Sequence, residues 1–144
     1  MIRVAIVGLG NCASAFIQGI EYYKDRSHKV GFIGETLFGH RIGDVEVVGA
    51  IDVDSRKIGK DISEAIFAEP NCAEKFSDIP NAGVKVVKGE VLDGVASHME
   101  HSFQVDPSQE SVDIAAYLKE VNAEFLICYL PVGSDNAAKF YAEK

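Results

Sequence analysis

The sequence predicts an α/β fold, a doubly wound parallel sheet with helices on both faces. Two observations carry that prediction. Strand-like and helical patterns alternate four times along the 144 residues. The strand candidates are nearly unbroken apolar runs, as strands buried on both faces are, rather than runs with one wet side.

Ile-Arg-Val-Ala-Ile-Val at 2–7 is the first strand, and it stops at Gly8-Leu9-Gly10. Ala13, Phe16, Ile17 and Ile20 then recur at three- and four-residue intervals, a helix that fades after Tyr23. Residues 24–43 are polar and spotted with glycine, a long excursion. Val45 to Ile51 is the second strand, closed by Asp52. Ile58, Ile62, Ala65 and Ile66 mark a second helix running to about Ala68, before Pro70. A polar connection over 69–82 leads to a third strand from Val84 to Lys88. Residues 91–101 read as a weak helix, and Pro107 ends any such element. Val112, Ala115, Ala116, Leu118 and Val121 give an amphipathic helix with Ser111 near its start. Phe125 to Leu130 is the fourth strand, followed by the turn Pro131-Val132-Gly133-Ser134. The last helix starts near Asp135 and, on this reading, is still running at Lys144. The expectation is therefore one domain over 1–144, the N-terminal part of a longer protein, with its sheet incomplete at the C-terminal end.

Composition narrows the function classes. The chain is 47% hydrophobic and 25% charged, as ordinary globular domains are, and needs no disulfide or metal staple at this length. Its net charge of −8 argues against nucleic acid, whose phosphates are bound by basic groups. No polybasic segment suits an anionic membrane surface, and no apolar run reaches the roughly 18 residues of a bilayer span. The N-terminal apolar stretch is too short and too glycine-broken for a signal peptide. Cys12, Cys72 and Cys128 are widely separated and fit neither a disulfide framework nor a metal motif, so a reducing cytoplasm is expected.

The strongest local signal is Gly8-Leu9-Gly10-Asn11-Cys12-Ala13, a GxGxxA hexapeptide between a strand and a helix. Gly8 permits the tight turn, Gly10 lets a pyrophosphate approach the backbone, and Ala13 lets the helix pack closely on the strand. The phosphates then meet free N–H groups at the positive end of the helix dipole. This predicts a Rossmann-like dinucleotide-binding domain. A turn needed only for packing is the plainer alternative. Asp52, at the end of the second strand, can accept the ribose hydroxyls and repel a 2′-phosphate, favouring NAD over NADP. It lies about twice the usual spacing of roughly 20 residues past the glycines, and the excursion at 24–43 supplies the difference. Arg56 and Lys57 keep NADP open but lie beyond the acid.

Other residues read more plainly. His98 and His101 lack a third ligand at suitable spacing and count as exposed polar residues, so no metal is expected. Cys12 reads as a small residue in a crowded turn, Asp61 as a helix cap, and Tyr141 as helix-face packing. No Ser-His-Asp or HExxH arrangement occurs.

Val4-Ala-Ile-Val-Gly-Leu-Gly-Asn-Cys-Ala-Ser14 and Gln18-Gly-Ile-Glu-Tyr-Tyr23 closely resemble the start of the archaeal and actinobacterial type of myo-inositol-1-phosphate synthase. The resemblance continues through Ala50-Ile-Asp-Val-Asp54, Gly59–Phe67, Leu92-Asp-Gly94 and Tyr129-Leu-Pro-Val-Gly-Ser134 to Lys139–Ala142, and is weak over 24–43 and 95–110. It implies an enzyme that converts glucose 6-phosphate to inositol phosphate with one bound NAD, through oxidation, enolisation, aldol closure and reduction. It implies a cytoplasmic homotetramer in which the catalytic lysines and the subunit interface belong to a domain after Lys144; none of the lysines here matches them, so no catalytic residue is assigned. By resemblance Gly8, Gly10, Asn11, Cys12 and Ala13 wrap the pyrophosphate and Asp52 holds the adenosine ribose. Leu130, Pro131 and Ser134 flank the nicotinamide, while Asp61 and Tyr141 match positions close to NAD. The rival readings are an NAD-dependent dehydrogenase of a phosphorylated sugar and a non-catalytic NAD-sensing module.

Overall fold

The computed structural model describes residues 1–25 and 30–144, so part of the excursion predicted at 24–43 lies outside the described residues. Four parallel strands form one sheet: β1 (Ile2–Val7), β2 (Val45–Asp52), β3 (Val86–Lys88) and β4 (Phe125–Cys128). Their order is β3-β2-β1-β4, with β1 paired in parallel to both β2 and β4. This is the inner part of the doubly wound arrangement, and the winding reverses between β1 and β4.

Alternation along the strands divides the core in two. Ile6, Ala50 and Val86 face α1 (Asn11–Tyr23) and α2 (Ile62–Ala65), packing with Leu9, Ala13, Ile17, Ile62 and Ile66. Val7 and Ile51 face α3 (Ile114–Glu120) and α4 (Asp135–Ala142), packing with Ile114, Ala137 and Tyr141. Each helix covers one face of a sheet that is apolar on both, which is why the strands read as continuous apolar runs. Ala13 is fully buried against the sheet, where a larger side chain would force the helix outward.

Several expected elements are shorter than predicted. The second helix is a single turn because the residues before it are claimed elsewhere. Gly59 N–H donates to Val86 O and Val86 N–H to Lys60 O, tying 59–60 to the third strand. Asp61 then caps the turn that remains. Val84 is outside β3, since its carbonyl accepts Ile62 N–H. The weak helix expected over 91–101 is only a 3-10 turn at Ser97–Met99. Helix α3 is capped by Asp113, whereas Ser111 turns its hydroxyl to Gly89 O at 2.9 Å. The fourth strand ends at Cys128, and α4 closes at Ala142 instead of continuing through Lys144. Among the described residues no helix is long and apolar enough to cross a membrane.

Candidate functional site

A crevice opens at the carboxyl ends of the strands, bounded by the turns that follow β1, β2 and β4. Gly8, Gly10, Asn11, Asp52, Leu130, Pro131 and Tyr141 line it. The sequence also pointed to Cys12, Ala13, Asp61 and Ser134, which lie outside that lining. Cys12 is exposed in the first turn of α1, and Ala13 is core. Asp61 accepts Ser63 N–H at 3.0 Å and Ala82 N–H at 3.1 Å, so its carboxylate serves the fold. Ser134 is a buried N-cap residue of α4 without a side-chain cap bond.

The two glycines of the turn have different reasons to be glycine. Gly8 has φ +87°, and a Cβ there would stand 2.8 Å from Tyr129 O, so the turn itself requires it. Gly10 has φ −79°, and a Cβ there would meet nothing within 4 Å. No packing requirement explains it; its missing side chain keeps the crevice clear. As N-cap residue it contributes no side-chain cap to α1, leaving first-turn N–H groups for a ligand.

Asp52 is 5% exposed and does more than face the crevice. Its carboxylate accepts Leu9 N–H at 2.7 Å, Val53 N–H at 2.7 Å and Asp54 N–H at 2.9 Å, and Lys57 Nζ lies 3.8 Å away. Any ligand hydroxyl at this carboxylate would have to share it with these donors. Lys57 is 1% exposed and donates to Leu9 O at 2.8 Å and Asn71 Oδ1 at 3.0 Å. Burial pushes its ammonium below the usual lysine range, opposed by the nearby Asp52 and Asp54 charges. Asp54 is fully buried and paired with Arg56. Burial alone would raise its carboxyl, but the Arg56 hydrogen bonds and charge prevail and hold it below the ordinary value.

Helix α1 is fastened by its own polar side chains. Asn11 Oδ1 accepts Cys72 N–H at 2.8 Å and Ala73 N–H at 2.9 Å, while buried Gln18 accepts Phe76 N–H at 2.8 Å. On the opposite wall Tyr141 donates its hydroxyl to Glu90 O at 3.1 Å, and burial pushes its phenol up to about 12. Asp93 accepts Asn136 N–H at 2.8 Å and Ala137 N–H at 2.7 Å, filling the N-terminus of α4. The sequence reading missed Lys57 as a support of the turn, and also Asn71, Gln18 and Asp93. Gln18 and Asp93 had a signal, within the resembling blocks Gln18–Tyr23 and Leu92-Asp-Gly94. Among the described residues no cluster of three or more His, Cys, Asp or Glu is arranged to hold a metal ion.

No family model matches the chain. Inositol-3-phosphate synthases are similar to it: that of Corynebacterium glutamicum is 43% identical over 99% of this chain and 40% of its own length. That of Mycolicibacterium smegmatis is 45% identical over 99% of this chain and 40% of its own length. The chain thus spans about two-fifths of the length of these curated relatives. Among solved structures, Ari2 superposes with TM-score 0.81 at 30% identity, over 99% of this chain and 41% of its own. A myo-inositol-1-phosphate synthase-related protein from Thermotoga maritima shares the fold, with TM-score 0.65 at 20% identity over 99% of this chain and 40% of its own. The chain is therefore similar, along essentially its own whole length, to about two-fifths of these inositol-3-phosphate synthases.

Proposed function

We propose that this chain is the NAD-binding part of an inositol-3-phosphate synthase, whose complete form converts glucose 6-phosphate to 1D-myo-inositol 3-phosphate. The observation that carries the reading is Gly10, a residue with room for a side chain at the uncapped start of α1, beside an open crevice. The relatedness along 99% of the chain supplies the reaction.

NAD bound here would supply the acceptance and return of one hydride, which would make the net reaction an isomerisation. The turn from Gly8 to Ala13 receives the pyrophosphate on backbone N–H groups at the positive end of α1. Asp52 stands at the ribose end, where its buried charge repels a 2′-phosphate even while its oxygens hold the turn. Leu130 and Pro131 wall the nicotinamide side and exclude water with apolar surface.

Little here suits the sugar phosphate or the enolate. Lys57 is buried on Leu9 O and Asn71, and Glu90 adds negative charge to the crevice. Enolate stabilisation calls for cationic groups aimed at the developing charge. We assign those groups, and the contacts of a cytoplasmic homotetramer, to sequence beyond these 144 residues. A phosphosugar dehydrogenase would use the same crevice, and the product distinguishes the two. The deciding experiment supplies glucose 6-phosphate and NAD to the complete protein. Inositol phosphate with no net NADH supports the synthase, whereas stoichiometric NADH would replace it with the dehydrogenase.

A further inference from the structure

The Leu9–Gly10 peptide is gripped from outside its own turn. Its oxygen accepts two donors, Lys57 Nζ at 2.8 Å and Asn71 Nδ2 at 2.8 Å. In a trans peptide the N–H points opposite to the C=O, so fixing Leu9 O also aims the Gly10 N–H. That N–H has no acceptor among the described residues. The preceding peptide is fixed as well, through Leu9 N–H on Asp52.

A lysine is a costly choice for holding a carbonyl. Asn71 already donates to the same oxygen, and burying an ammonium at 1% exposure carries a large desolvation penalty. A positive donor, however, polarises the amide it binds. Hydrogen bonds in a chain strengthen one another, so the Gly10 N–H becomes a better donor to an anion in front of it.

We infer that Lys57 and Asn71 are positioning residues of the dinucleotide site: through the Leu9 carbonyl they aim and strengthen the Gly10 N–H that receives the pyrophosphate. This rests on the NAD reading above. Neither residue touches the pyrophosphate; both act through the peptide between them and the crevice. The charge on Lys57 also offsets that of Asp52 at 3.8 Å, so the turn does not present a net anion to an anionic ligand.

The test is calorimetric titration of the complete protein with NAD, ADP-ribose and adenosine, in wild type, Lys57→Met, Asn71→Ala and the double variant. Lys57→Met should weaken NAD and ADP-ribose about tenfold, the scale of one charge-assisted hydrogen bond, and leave adenosine within about twofold. Asn71→Ala, which keeps the buried charge pair, should act in the same direction by roughly threefold, as befits a neutral hydrogen bond. The double variant should lose less than the product of the two, because both donors serve one oxygen. Wild type that binds NAD alongside folded variants that bind it equally well would overturn the inference and leave the NAD reading standing. Equal weakening of adenosine, or failure of both single variants to fold, would reduce the pair to general scaffolding and overturn it too. Wild type that does not bind NAD would remove both readings.

Discussion

Replacing Gly10 by valine separates the cofactor's need for glycine from the fold's need. Gly10 has φ −79° and ψ −164°, a conformation any residue adopts, and a Cβ there has nothing within 4 Å. The free protein should lose no more than about 1 kcal/mol, the scale of a changed N-cap. The isopropyl group would stand where the pyrophosphate must approach the backbone. Forfeiting one charged hydrogen bond there costs about 1.5–3 kcal/mol, or roughly 10- to 150-fold in Kd. Thermal melts with and without NAD, beside calorimetric titration, read both quantities. At a concentration 100 times the wild-type Kd, NAD should stabilise wild type by about 2.7 kcal/mol, and a variant bound a hundredfold more weakly by only about 0.4 kcal/mol. Gly8→Ala supplies the contrast. With φ +87° and Tyr129 O at 2.8 Å from the new Cβ, it should lose at least about 1–2 kcal/mol before any ligand is added. A Gly10→Val protein with wild-type NAD affinity would refute the placement of the pyrophosphate at this turn.

Asp52→Asn keeps an oxygen for Leu9 N–H but removes the charge, so the preference for NAD over NADP should narrow by about tenfold; an unchanged preference in competition titrations would count against Asp52 as the selector. Burial raises the Tyr141 phenol to about 12 in the folded state, above an ordinary value near 10. Its contribution to stability is thus present below about pH 10 and lost as the pH rises through 12; burial also raises the Tyr117 and Tyr129 phenols, so phenolate absorbance should show several late tyrosines, one fewer in Tyr141→Phe. Asp54 and Asp61 have lowered values, because hydrogen bonds outweigh burial. Their contributions stand above about pH 4 and are lost as the pH falls through the lower folded values, so urea midpoints should drop on acidification, less steeply in Arg56→Met. Inositol phosphate should form from glucose 6-phosphate with the complete protein and not with residues 1–144 alone.

The features legible in the sequence are those whose causes are local. The strand, glycine turn and helix over 2–23 declare themselves because periodicity and turn chemistry act within a few residues. The two-faced burial of β1 and β2 shows in their unbroken apolar runs. The second helix was overextended because Ile58 has the right spacing, while the bonds tying Gly59 and Lys60 to Val86 are invisible to a periodicity count. Asp52 was recognised by its place at a strand end, but its three backbone partners include Leu9, reachable only after β1 and β2 pair. In the sequence Lys57 reads only as a cation past the acid that keeps NADP open. Only the fold reveals it as a buried support, since its acceptors come from two other segments. Asn11 reads as a pyrophosphate residue and Gln18 only as part of a resembling block; that both hold the loop at 72–77 is not legible, because that loop has no pattern of its own.

The turn at Leu9 is short in sequence yet is closed by distant partners, at separations of 43, 48 and 62 residues. Ordering it therefore waits on closures of high sequence separation, which are slow to form and among the contacts an opening fluctuation can break. The segment around Asn71 has few regular hydrogen bonds and is joined to both the turn and α1: Asn71 grips Leu9, and the next two residues grip Asn11. A local opening of that segment loosens the glycine turn and the start of α1 in one event while the four-stranded sheet stays paired. The turn would thus open on a timescale set by that segment and not by the unfolding of the domain, and amide hydrogen exchange at Leu9, whose N–H is held by Asp52, would read it.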